Sequence, residues 1–217
     1  MKSVLISIQP KWCELIARGE KTVEVRKTRP KIDTPFKVYI YCTKAKEHFS
    51  LGGGVYATSD TLYRLPTGEI KFGDGFELMG DWSGQYDENN FLNGKVIGEF
   101  VCDCITALKA DNIIQAYYNN TKDTCLSDAE ITIYANGKKV YYWHISNLVI
   151  YDKPKELGDF YHFCGANPEC EGCEVHYYNS TECGAEDYCC SVVEGCKPLT
   201  RPPQSWCYVE KGGDGDE

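Results

Sequence analysis

Eight of the thirteen cysteines in this 217-residue chain fall between Cys164 and Cys207, in a stretch rich in Gly and acidic residues and poor in aliphatic side chains. Such a segment cannot bury enough apolar surface to hold itself together, so it needs covalent or metal staples. The other five, Cys13, Cys42, Cys102, Cys104 and Cys125, are scattered over the first 163 residues at positions that suit small buried hydrophobes. The chain therefore divides into a part that builds its own core and an extension that does not.

Within the extension, Cys170-Glu-Gly-Cys173 is a C-x2-C pair, with Cys164 upstream and Cys183, Cys189, Cys190 and Cys196 following. That spacing lets two thiolates approach one tetrahedral Zn²⁺ at about 2.3 Å, with two more from a second pair. No run reaches the 18 or so apolar residues of a membrane span, and VLISI near the N-terminus is too short for a signal-peptide core. A cytoplasmic location with no membrane partner is the expectation, and a reducing compartment disfavours disulfides. A structural zinc held from among Cys164, Cys170, Cys173, Cys183 and Cys196 follows, with an Fe–S cluster or disulfides as alternatives and the choice between one metal and two left open. His162 and His176 are candidates to replace a thiolate.

Ahead of the extension, Ser3–Ile8 reads as a half-buried strand. Pro10 suits a first helical position, Trp12, Leu15 and Ile16 recur at helical spacing, and Gly19 fits the C-terminal cap. Thr22–Lys27 then alternates as a strand, and Phe36–Cys42 is a β-branched and aromatic core strand. Residues 47–94 are Gly- and Asp-rich and read as an insertion, with short strands at Thr61–Arg64 and Glu69–Phe72 around Pro66-Thr67-Gly68. Lys95–Thr106 is the longest strand, with Gly98 marking a bulge. Ser127-Asp-Ala-Glu130 is a capping box, Gly137 stops its helix, and Lys139–Tyr151 returns as a strand. Strands outnumber short helices without regular βα alternation, which predicts an α+β mixed barrel over residues 1–155. Residues 156–210 form the Cys-rich extension and 211–217 a disordered acidic tail.

Charge is distributed unevenly. Residues 1–46 carry a net +7 and the remainder a net −16, for −9 overall. An acidic protein with a basic N-terminal region meets an anion locally but lacks the broad positive field that grips duplex DNA. Nucleic-acid contact is therefore expected to be small and local, without strong duplex binding.

The densest cluster lies in GEKTVEVRK, residues 19–27, where Lys21, Glu24 and Arg26 sit at a helix–strand junction. Glu24 and Arg26 share one strand face, about 7 Å apart, opposite Val23 and Val25. A guanidinium offers a rigid fork for phosphate, and a carboxylate accepts from an exocyclic amine. Lys21 is placed to bind phosphate or to act as a base. The bland alternative is a solvated strand face with a weak ion pair. Trp206 and Tyr208 follow Arg201-Pro-Pro203, whose prolines favour an extended backbone lying along a surface. They either stack on an unpaired base or anchor the tail to the barrel.

The stretch SIQPKWCELIARGEKTVEVRK resembles the opening of the ASCH domain, a PUA-like β-barrel family with a Gly-x-Lys-[Thr/Ser]-x-x-x-Arg element beside a cleft. That element is Gly19, Lys21, Thr22 and Arg26 here. GKVIGEF and YYWHISNLVIYDKPKEL are also similar to the family's strands, so the resemblance covers roughly residues 1–155. The ending KPLTRPPQSWCYV is similar to the tails of uncharacterised, often phage-associated, ASCH proteins with a Cys-rich extension. The resemblance implies an RNA- or nucleotide-binding module, with RNA or a modified nucleoside or nucleotide as partner and Lys21, Glu24, Arg26, Trp206 and Tyr208 as binding residues. Its alternative is a hydrolase, an N4-acylcytidine amidohydrolase or a ribonuclease, with Lys21 and Glu24 as catalytic residues. The family's hydrolases pair that Lys with a Thr three residues on, where this chain has Glu24, and with an acid for which Asp123 is the nearest candidate.

Overall fold

The computed structural model describes residues 3–44, 49–50, 56–57, 60–73, 90–108, 122–162 and 198–211. In chain order these contain β1 (Ser3–Ile8), helix α1 (Pro10–Ala17), β2 (Val23–Arg26), β3 (Phe36–Cys42), the two-residue strands β4 (Phe49–Ser50) and β5 (Tyr56–Ala57), β6 (Thr61–Arg64) and β7 (Ile70–Gly73). Then follow β8 (Val96–Leu108), helix α2 (Asp128–Ala135), β9 (Val140–Lys155), a 3₁₀ turn at Leu157–Asp159, β10 (Phe160–His162) and β11 (Trp206–Lys211). The fold class is α+β, as expected: one mixed sheet carries the domain, in the order β10-β11-β1-β3-β8-β9-β2. Among the described strands only β1 and β3 pair in parallel, and α1 with β2 forms the crossover between them. That is the topology a parallel pair requires, since a tight hairpin cannot join strands running the same way.

The sheet curls, bringing its far strands together. Arg26 on the edge strand β2 donates a hydrogen bond from Nη2 to the Ser7 carbonyl on β1 at 2.6 Å. Trp206 of β11 lies with its ring centre 6.1 Å from that of Trp143 on β9. The concave side encloses the main core, where Val4, Ile6 and Ile8 of β1, Val38 and Ile40 of β3, Ile97 and Phe100 of β8 and Trp143 pack with Cys13 and Ile16 of α1. Each such aliphatic chain, fully removed from water, contributes on the order of 1.5–3 kcal/mol. Val23 and Val25 face a separate apolar cluster made with Ala135, Val140 and Tyr142. This leaves Glu24 and Arg26 to the opposite side of β2.

Local signals account for most boundaries. Pro10 opens α1, Gly19 follows it at φ +72°, and Ser127 and Glu130 close a reciprocal capping box at α2. Asn136 takes the left-handed cap at φ 47° just before Gly137. Gly98 sits at a register shift between β8 and β9, and a Cβ there would lie 2.4 Å from the Val149 carbonyl oxygen. No side chain fits so close to a backbone atom, so glycine is what lets the bulge form.

The hairpin β6–β7, in the region read as an insertion, covers α1 and buries Leu62 and Ile70 in the main core. The boundary expected at residue 155 needs correction for the described residues. β11 pairs with β1 in the middle of the order and β10 pairs with β11, so residues 160–162 and 206–211 complete the same sheet. The physical reason is that β1 has two edges to satisfy, and β11 fills the one that β3 does not.

Candidate functional site

At the end of α1 the chain reverses tightly. Gly19 N–H donates to the Ile16 carbonyl, and the N–H groups of Glu20 and Lys21 both donate to the Leu15 carbonyl. The reversal swings Lys21 back beneath the helix, where its Nζ lies 5.3 Å from the centre of the Trp12 ring. β2 is then pinned on both sides, Thr22 N–H donating to the Asp123 carbonyl and Ile145 N–H to the Thr22 carbonyl.

The three charged residues singled out in the sequence come together, and they are not solvated. Lys21, Glu24 and Arg26 are 2 %, 7 % and 8 % exposed. Glu24 stands between the cations, one oxygen 3.4 Å from Lys21 Nζ and the other 2.9 Å from Arg26 Nε. The second contact is ionic, without hydrogen-bond geometry at Nε. Lys21 Nζ also donates to the carbonyls of Val23 at 2.9 Å and Thr124 at 2.7 Å. Two of its N–H donors thus go to backbone carbonyls, and its remaining contact is the ion pair with Glu24. In this arrangement Lys21 ties the Lys122–Cys125 turn to β2 and steers Glu24.

This triad lines a cavity of about 630 Å³ whose other walls include Ser7, Gln9, Trp12, Tyr134 and the tail segment Pro202–Gln204. The tail is held there by Ser7, whose hydroxyl donates to the Pro203 carbonyl at 2.6 Å and whose N–H donates to the Ser205 carbonyl at 2.9 Å. Two cations against one carboxylate leave the lining with an excess positive charge. Burying that charge is costly unless a partner neutralises it. Trp12 and Tyr134 add aromatic surface beside it. Around the site, burial pushes the Cys125 thiol up, with Lys21 pulling the other way. Burial, reinforced by the neighbouring Cys42 thiol, holds Cys13 well above the usual thiol range, so neither is primed as a nucleophile.

Trp206 and Tyr208 do not line this cavity. Trp206 packs on Trp143 and donates from Nε1 to the Thr28 hydroxyl at 3.0 Å, while the Tyr208 hydroxyl accepts from the Lys31 N–H at 2.7 Å. They anchor the loop after β2. Asp123 supplies a backbone carbonyl and not its carboxylate. Sequence reasoning missed Trp12 as a wall, although it lies one turn before Ile16 on α1, and missed Tyr134, which α2 brings from far along the chain. The cysteines expected to hold zinc, Cys164, Cys170, Cys173, Cys183 and Cys196, lie outside the described residues, as does His176. Among the described residues no cluster of His, Cys, Asp and Glu is arranged to hold a metal, and no helix is long and apolar enough to cross a membrane.

Residues 6–72, a span that includes the whole triad, match the family model of the ASCH domain. In three dimensions the chain is similar to the ASCH protein of Zymomonas mobilis, with 15% identity over 96% of this chain and 88% of that one and a TM-score of 0.48. A single-substitution variant of that protein gives 14% identity over 98% and 93%, with a TM-score of 0.49. No curated protein matches the chain in sequence.

Proposed function

We propose that the cavity at the α1–β2 turn binds one nucleotide unit, as part of RNA or as a modified nucleoside or nucleotide. The observation that supports this best is the buried Lys21–Glu24–Arg26 cluster, with its excess positive charge, opening into a cavity lined by Trp12 and Tyr134. Arg26 offers donors to a phosphate or a base carbonyl, Glu24 accepts from an exocyclic amine, and an aromatic ring stacks on the base. Calorimetry with the four ribonucleoside monophosphates and with N4-acetylcytidine tests the reading. At least one should bind, and Tyr134→Ala should weaken it by about 1–3 kcal/mol, the usual worth of a stacked base. No binding of any of them removes the proposal.

The hydrolase reading draws on the same Lys21–Glu24 contact, but a neutral Lys21 has only two N–H donors, both taken by backbone carbonyls, so acting as a base would cost it the ion pair with Glu24. Mass spectrometry of N4-acetylcytidine and of RNA incubated with the protein decides it: turnover abolished by Lys21→Ala supports catalysis, and unchanged substrates leave a binding pocket. The zinc staple is likewise a proposal, carried by the C-x2-C spacing. Metal analysis of reduced protein should find about one Zn per chain, and a metal-free chain with its thiols paired would dispose of it.

A further inference from the structure

A second cavity, of about 520 Å³, lies just past the end of β2 and is lined by Lys27, Thr28, Arg29, Pro30, Lys31, Ile32, Asp33 and Tyr141. Three cations face one carboxylate, and among the described residues Lys27, Arg29 and Lys31 make no ion pair. A fourth cation stands beside the cavity, Lys139 Nζ lying 5.3 Å from the centre of the Tyr141 ring. In a chain of net charge −9 this is a concentrated local field of the opposite sign.

The loop that carries these cations is held in shape from behind. Trp206 bonds the Thr28 hydroxyl, Tyr208 bonds the Lys31 N–H, and Pro30 is buried, while Lys27, Arg29 and Lys31 stay exposed. A fixed backbone presenting free cations binds an anion without first having to order itself. The cavity also adjoins the first. Arg26 lines one and Lys27 the other, and Lys27 Nζ lies 4.8 Å from the centre of the Tyr134 ring, which is a wall of the first cavity. Lys27 thus spans the ridge between the two.

We propose that this second cavity takes the phosphate of a nucleotide adjoining the one held at the α1–β2 turn, so that the ligand is single-stranded RNA of two or three nucleotides or more. The inference rests on the reading of the first cavity as a nucleotide site. Stacking platforms followed by a cationic track are how unpaired strands are gripped without a broad positive surface.

The test compares the four ribonucleoside monophosphates with a mixed pool of single-stranded RNA trinucleotides, on wild type and on Arg29→Ala/Lys31→Ala. Both residues are exposed and the Lys31 N–H is retained, so thermal unfolding should be unchanged. Trinucleotides should bind wild type about tenfold or more tighter than monophosphates, and the double variant should lose that gain while monophosphate affinity stays. If monophosphates bind but trinucleotides bind no tighter, or the double variant loses nothing, the second site is refuted and the first stands. Displacement of trinucleotides by an oligoglutamate peptide at equal concentration would mark a general anion patch and also refute it. If neither probe binds, both readings fall.

Discussion

Lys21 and Arg26 before the end of β2, and Lys27, Arg29 and Lys31 after it, are cations separated by a few residues of the same chain, yet they live under opposite physics. The first two are buried, shared between a carboxylate and backbone carbonyls, and hold secondary structure together. The others are exposed, without an ion pair among the described residues, and sit on a loop whose shape is fixed by Trp206 and Tyr208. Removing a buried charge leaves its partner stranded in low dielectric, whereas removing an exposed one merely returns water to the site. One cluster should thus report mainly through stability and the other mainly through binding.

The largest expected effect breaks the first half of that comparison. Glu24→Ala leaves two buried cations facing each other without their carboxylate, which should cost about 3–5 kcal/mol, measured by urea unfolding. Arg29→Ala, which also removes one charge, should shift stability by less than about 0.5 kcal/mol. Equal losses would show that burial is not what distinguishes the two groups.

How far this was legible beforehand depends on the range of the interaction. Phe36–Cys42 and Thr61–Arg64 were expected at their observed limits, because an apolar β-branched run bounded by turn residues is a local signal. β8 and β9 run on to Leu108 and Lys155, past the expected Thr106 and Tyr151, because each strand extends the other's pairing. β11 was not expected at all: its partner β1 lies about two hundred residues away, and nothing in WCYVEK announces which edge it fills. The site divides in the same way. Alternation along β2 put Glu24 and Arg26 on one face, but the cavity beside that face is also walled by Pro202–Gln204 and Tyr134, which no local pattern connects to it.

A middle-sized effect concerns the loop. Trp206→Phe keeps most of the packing on Trp143 but deletes the hydrogen bond to Thr28. It should cost about 1 kcal/mol and speed amide exchange at Thr28 and Lys31, with little change at Lys21. If exchange at Thr28 and Lys31 is unaffected, Trp206 does not hold the loop. Salt sharpens the contrast further. Trinucleotide affinity should fall with a slope of about 0.7 per phosphate engaged, one or two in all, while the unfolding free energy attributed to the buried triad should be insensitive, since buried pairs are screened far less.

The smallest effect is on pH dependence, and it concerns the strand behind the loop. Cys207 lies between Trp206 and Tyr208 on β11, and burial pushes its thiol from 9.0 up to about 11. The native state therefore keeps its proton while the unfolded chain loses it. Unfolding becomes more favourable as pH rises above 9, so the stability linked to this thiol is intact below pH 9 and is lost as pH rises toward about 11. Cys102, raised by burial to about 12, adds to the same alkaline limb. Cys207→Ala should flatten the decline in stability between pH 9 and 11 relative to wild type, and it should leave the neutral-pH binding of monophosphates unchanged. In the native protein Cys207 should also react slowly with iodoacetamide at pH 8, and faster in Trp206→Phe, where the strand end is less firmly held. If alkylation is equally fast in both, the thiol is not shielded by this packing, and the rigidity assigned to the strand that supports the cationic loop is lost with it.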